Sequence, residues 1–175
     1  VDSYEPFFIP CYVGAARSGS LILTGGSYMT SFSKYDWGRA LNFTIGGNAI
    51  PYLLQGWAIP EDGLVWTNEL NARLGLSVKP ADRDITLILQ AVPFLGGGKL
   101  KFQELHVYVN FLRVGFFLLS EGGSFEVVLP KTLAAANTMI IDLYIPRACS
   151  PFELDIGPDI RHLGLAVSKL TLVQT

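Results

Sequence analysis

The feature that most narrows the fold is a strict two-residue alternation over residues 71–79. Ala72, Leu74, Leu76 and Val78 fall on one side, and Arg73, Gly75, Ser77 and Lys79 on the other. Successive side chains of an extended chain point to opposite faces, so this pattern builds a strand with one apolar and one polar face. The same period returns at Leu105, Val107 and Val109 within 104–110, and at Met139, Ile141, Leu143 and Ile145 within 138–145. Over 40–45, Leu41, Phe43 and Ile45 alternate against Asn42 and Thr44. Residues 85–92 are nearly continuously apolar, the pattern of a strand covered on both faces. Gly46-Gly47-Asn48, Pro80-Ala81-Asp82-Arg83, Gly96-Gly97-Gly98 and Glu121-Gly122-Gly123 punctuate these runs with turn chemistry.

Further strands are expected at 111–119, in a hairpin about Asn110, and at 125–129. Pro130 followed by Leu-Ala-Ala-Ala predicts one or two helical turns near 131–137. The last strand, about 161–173, changes phase from Leu163, Leu165 and Val167 to Leu170 and Leu172, which a β-bulge near Ser168-Lys169 reconciles. Many short strands with turns between them, and no helical stretch long enough for an α/β crossover, define an all-β chain: a single β-sandwich of jelly-roll type. It is expected to occupy residues 21–175. Residues 1–20, broken by Pro6 and Pro10 yet rich in Phe7, Phe8, Ile9 and Tyr12, read as an extended N-terminal arm lying on the domain or on a neighbouring subunit.

Composition restricts the partners. Charged residues are 16% of the 175-residue chain, against about 25% for an average globular protein, and the mean hydropathy is +0.36. Such a chain hides apolar surface in a membrane, against partners, or on well-filled sheet faces. Its apolar runs fall far short of the ~20 residues of a spanning helix, so no transmembrane segment is expected. A net charge of −2 and the lack of a basic stripe argue against nucleic acid. A protein partner or homo-oligomer is the remaining expectation. The chain opens on Val1 without a secretory-leader pattern, a start that a trimmed mature chain would share.

Enzyme signatures are missing: there is no Gly-x-Ser-x-Gly, His-Glu-x-x-His, phosphate loop or dinucleotide fingerprint. His106 and His162 read as structural or exposed. Cys11 and Cys149 are either two buried thiols or a disulfide, and the latter needs an oxidising compartment. With two histidines they do not compose a zinc site. The pairs Asp82/Asp84 and Asp155/Asp159 each supply too few oxygens for calcium. Solvated turn residues are the default for both pairs, with a structural calcium as the disfavoured alternative; no other metal or cofactor, and no catalysis, is expected.

The chemically densest stretch is 56–67, Gly-Trp-Ala-Ile-Pro-Glu-Asp-Gly-Leu-Val-Trp-Thr. Trp57 and Trp66 offer flat rings on which sugar C–H faces pack, and Glu61, Asp62 and Asn68 offer hydrogen-bond partners for hydroxyls, the recipe of a carbohydrate or polysaccharide site. The same residues fit a competing reading, in which the tryptophans plug the core and Pro-Glu-Asp-Gly is a turn. Glu61 and Asp62, as sequence neighbours on an extended chain, diverge and do not make an acid–base pair. Asp159 and Arg161, two apart before the last strand, point to one face and read as a structural clamp with Glu61 or Asp62 as third member.

In chain order, Gly56-Trp57, Pro60-Glu61, Val65-Trp66-Thr67 and Ala72-Arg73-Leu74 begin a recognisable series. Ala91-Val92-Pro93-Phe94, Val107-Tyr108-Val109-Asn110, Ala148-Cys149-Ser150-Pro151, Gly157-Pro158-Asp159, Arg161 and Leu163-Gly164-Leu165 continue it. The set resembles a β-sandwich domain appended to bacterial family 2 glycosyltransferases and to related envelope polysaccharide proteins. Asn68-Glu69 and Asn110-Phe111 stand where that pattern carries a turn glycine, a departure expected to alter loop geometry. The resemblance implies a non-catalytic module working among surface glycans at the bacterial cell envelope, in the periplasm or at the cell surface.

Overall fold

In the computed structural model, which describes residues 32–175, the strand-forming runs follow one another as β1 (Lys34–Tyr35), β2 (Leu41–Asn42), β3 (Leu53–Gln55), β4 (Val65–Trp66), β5 (Asn71–Val78), β6 (Ile85–Pro93), β7 (Gln103–Val109), β8 (Leu112–Leu119), β9 (Gly123–Leu129), β10 (Thr138–Tyr144) and β11 (Leu165–Gln174). Among the described residues one α-helix, α1 (Lys131–Ala134), interrupts them, entered through Pro130 as expected, besides two single 3-10 turns at Ile50–Tyr52 and Gly96–Gly98. The first sheet runs β1-β5-β10-β7-β8, with β3 also pairing β5; the second runs β2-β11-β6-β9, with β4 also pairing β11. Taking β2 and β4 as one interrupted lead strand, this is jelly-roll order, so the all-β sandwich read from the sequence is the fold. The expected arm at residues 1–20, and Cys11 with it, lie outside the described residues.

The alternation over 71–79 forms β5. Ala72, Leu74, Leu76 and Val78 enter the core opposite Leu143, Ile141 and Met139 of β10. Leu105, Val107 and Val109 of β7 join them, and the second sheet supplies Ile85, Leu87, Leu89, Leu165, Val167, Leu170 and Leu172. The ladder between β11 and β6 shifts register between Val167 and Lys169, so the bulge falls where the hydrophobic phase changes.

Two expectations are corrected. Strand β6 is not covered on both faces: Ile85, Leu87, Leu89 and Ala91 are buried, but the intervening residues are only partly covered and Val92 is 54% exposed. Its outer face alternates polar Thr86 and Gln90 with Ile88 and Val92. The alternation over 40–45 holds for Leu41 and Phe43, both fully buried, but Ile45 is 68% exposed. Here the Asn48 side chain stands in for a strand neighbour. Its carbonyl accepts from Asn42 N–H at 2.7 Å and its amide donates to Ala40 O at 2.9 Å. The strand is thereby tied off before Ile45 is reached.

The β7–β8 connection is the hairpin expected about Asn110, with Val109 opposite Leu112. Asn110 and Phe111 both sit at positive φ, 47° and 69°, the left-handed pair required by a two-residue hairpin turn that favours Asn-Gly. Asn110 is held there by its own side chain, which accepts from Ile140 N–H at 2.9 Å. The turn geometry is retained with phenylalanine in the glycine position.

Candidate functional site

The 56–68 stretch folds as a hairpin. Trp57 bridges Thr67, Ala58 N–H donates to Trp66 O at 2.8 Å, and Glu61 bridges Leu64 around Gly63, whose φ is 79°. Gly56 turns the chain into it at φ 74°, packed so closely that a Cβ there would stand 2.0 Å from the Asn71 carbonyl oxygen. The tip is tied to the neighbouring loop by Gly63 N–H, which donates to Thr44 Oγ1 at 2.8 Å.

Strand alternation then separates the two tryptophans. Trp57 and Thr67 share one side; Ala58 and Trp66 share the other. Trp57 packs against the core and on Phe43, with ring centroids 5.3 Å apart, and its indole N–H donates to Arg73 O at 2.9 Å. Trp66 faces away from the core, edge-on to Phe94 at 6.0 Å. A site holding both rings is therefore not what the hairpin builds.

Of the remaining candidates, Asn68 joins Trp57, while Glu61 and Asp62 occupy the exposed tip. Trp57 and Asn68 line an open depression of about 470 Å³ together with Leu54, Gln55, Pro60 and Glu69. Gln55 and Glu69 are not among the ligand-binding candidates read from the sequence. The Trp57–Thr67 bridge sets Gln55 and Asn68–Glu69 just outside the two ends of the hairpin, but only the folded register reveals it. Among the described residues the side chains of Gln55, Asn68 and Glu69 make no hydrogen bond or ion pair, and all three line the depression.

Asp159 and Arg161 come together on the adjacent connection. Arg161 Nη2 lies 2.6 Å from Asp159 Oδ2, its Nε donates to both carboxylate oxygens, and its backbone N–H donates to Oδ1 at 2.9 Å. Those hydrogen bonds hold the Asp159 carboxyl below its ordinary pKa and raise that of Arg161. Glu61 Oε1 stands 3.9 Å from Arg161 Nη1, while Asp62 joins no ion pair among the described residues. The same connection contains a reciprocal pair invisible to strand-pattern reasoning. Ser150 N–H donates to Glu153 Oε2 at 2.8 Å and Glu153 N–H donates to Ser150 Oγ at 3.1 Å. Ser150-Pro-Phe-Glu153 is a capping-box sequence, the signal that would have found it. Cys149 beside it carries a free, half-buried thiol whose pKa is raised, by burial first and by the Glu153 charge second.

Among the described residues, no three His, Cys, Asp or Glu side chains gather where they could hold a metal ion. No described helix is long and apolar enough to cross a membrane.

Fold and depression together define a jelly-roll sandwich with an open, mixed aromatic–polar surface site. No protein-family model and no curated protein sequence matches the chain. Among solved structures it is similar to part of a family GH115 4-O-methyl-alpha-glucuronidase with specificity for decorated arabinogalactans. That similarity has TM-score 0.51 and 9% identity over 86% of this chain, which spans 19% of the enzyme's length. It is also similar to the CBM36-1 domain of a multidomain xylanase from the hindgut metagenome of Trinervitermes trinervoides, at TM-score 0.47 and 10% identity, covering 78% of this chain and 97% of that one. A family 35 carbohydrate binding module from Clostridium thermocellum aligns at TM-score 0.46 and 13% identity, covering 78% and 99%. At 9% identity the glucuronidase likeness speaks for the fold alone.

Proposed function

We propose that this chain is a non-catalytic carbohydrate-binding module, with its site in the depression beside Trp57. The observation that carries the reading is the pairing of the exposed part of the Trp57 ring and Leu54 with the uncommitted side chains of Gln55, Asn68 and Glu69. An apolar ring face beside a few convergent polar groups is what a sugar requires, since its C–H faces and hydroxyls must be matched separately. Glu61 and Asp62 do not serve as an acid–base pair in this reading: they share an exposed tip, and Glu61 faces Arg161. Together with the sequence's resemblance to glycosyltransferase-appended domains, this supports a role among polysaccharides of the bacterial envelope.

The test is a glycan array followed by calorimetry, with Asn68→Ala and Gln55→Ala as the informative variants. Trp57→Ala is uninformative because that ring also packs on Phe43. Each amide variant is expected to weaken glycan binding by about fivefold to tenfold, the worth of one hydrogen bond, with the melting temperature unchanged. Binding that survives both substitutions at full strength would place the site elsewhere.

A second reading, an accessory subunit in a protein assembly or homo-oligomer, is favoured by strand β8. Among the described residues it pairs with β7 alone, and Leu112, Phe116 and Leu118 are exposed on it. Light scattering at high concentration tests it, and a monodisperse monomer would count against it.

A further inference from the structure

Across the outer face of the first sheet, register aligns two rows of side chains perpendicular to the strands. One row is Gln55, Arg73, Asp142, Tyr108 and Arg113, set opposite one another through β3, β5, β10, β7 and β8. The row beside it is Asn71, Tyr144, His106 and Phe116. In this second row the rings are in contact, with Tyr144 and His106 centroids 5.8 Å apart and His106 and Phe116 centroids 4.9 Å apart. Tyr144 and Phe116 are 37% and 50% exposed.

The polar row is ordered from beneath. Asp142 is buried, and its Oδ1 accepts from Asn71 Nδ2 at 3.0 Å and from Arg73 Nε at 2.7 Å, while Oδ2 accepts from Arg73 Nη2 at 3.2 Å. The guanidinium is thereby locked with Nη1 left over. Rotamer freedom that a ligand would otherwise have to freeze has already been removed. Arg73 pairs with Asp142, and Arg147 with Glu104 at 3.8 Å, while Arg113 at the end of the polar row is exposed and joins no ion pair among the described residues. The surface therefore offers fixed hydrogen-bonding groups beside ring faces.

We propose that this double row is the extended part of the glycan site, binding a linear polysaccharide chain laid across the strands. This rests on the carbohydrate reading above and deepens it. The occupant follows from the layout. A polymer of rings edged with hydroxyls needs apolar platforms repeating along one line and hydrogen-bonding groups repeating along a parallel one, and the two rows supply that arrangement. Continuity fixes the start of the path. Gln55 both lines the Trp57 depression and heads the polar row, and the Trp57 indole is bonded to the backbone of Arg73. From β3 to β8 the path crosses four strand gaps, about 19 Å at the usual inter-strand spacing, room for several sugar units rather than one.

The experiment is calorimetric titration of the full chain with linear oligosaccharides of two to six units, drawn from neutral and uronate-containing series, followed by Tyr144→Ala and Phe116→Ala. Both side chains are exposed, so the folded state is expected to persist, and a thermal melt of each variant checks this. Affinity is expected to rise with length by about tenfold or more between the shortest and longest ligands, and each variant to flatten that rise while leaving the shortest ligand's affinity unchanged. Length-independent binding that depends on Asn68 and Gln55 would overturn the extended path and leave the depression standing. Length-dependent binding that is lost in Tyr144→Ala but indifferent to Asn68→Ala would uphold the rows and remove the depression from the site. If no oligosaccharide of any length binds, both proposals fall.

Discussion

Asp142 shows what a single residue contributes at this fold's centre. It follows Met139, Ile140 and Ile141 in an otherwise apolar strand, and alternation assigns it to the outer face. That face is not wet there: the residue is 6% exposed, between Arg73 on one neighbouring strand and Tyr108 on the other. A carboxylate so placed is tolerable only because Arg73 and Asn71 donate to it. Removing it strands a guanidinium and an amide without an acceptor. Asp142→Ala is therefore expected to destabilise the domain by on the order of 3 kcal/mol, at the lower end of the range for broken buried pairs because Arg73 retains some contact with water. Urea denaturation checks this, and a loss below about 1 kcal/mol would mean that the pair behaves like a surface salt bridge. The face on which Asp142 lies was legible in the sequence. Its partner was not, because Arg73 is 69 positions away and only strand pairing selects it.

At the scale of elements, strands were legible wherever the two-residue period was long and unbroken. Strands β5, β7 and β10 appear with their core faces as expected. Short strands were not, because their limits are set by side chains outside the strand: Asn48, beyond the following turn, closes β2, and no propensity of residues 40–45 encodes that. The connection from β10 to β11 is held by polar locks of the same non-periodic kind. Ser150 hydrogen bonds lower the Glu153 pKa, and Arg161 hydrogen bonds lower that of Asp159. Folded carboxyls with depressed pKa values take up protons only after the unfolded chain has done so. Their stabilisation is thus present above the ordinary carboxylate pKa of about 4 and drains away as pH falls below it. Hydrogen exchange followed from neutral pH downward is expected to show the connection losing protection in that window before β5, β7 and β10 do. Simultaneous loss across the whole sandwich would contradict the locks' local role.

The whole molecule depends on its last strand. In the second sheet β11 lies between β6 on one side and the short β2 and β4 on the other, so among the described residues neither lead strand has a partner in that sheet until the C-terminal segment arrives. Leu165, Val167, Leu170 and Leu172 are also fully buried. This closure between the ends of the described chain is the property of a jelly roll that sequence period could suggest but not place, since period fixes faces and not neighbours. It makes partial sandwiches poor in both hydrogen bonds and core, and it places folding among the slower topologies, in milliseconds to seconds. Removing residues 165–175 is accordingly expected to abolish the cooperative unfolding transition altogether, leaving a collapsed chain without fixed tertiary packing. Near-ultraviolet circular dichroism and urea titration of the shortened chain decide the point. A shortened chain that still unfolds in one sharp transition would show that the β5-β10-β7-β8 sheet is stable without its cover, and that the two sheets do not form a single cooperative unit.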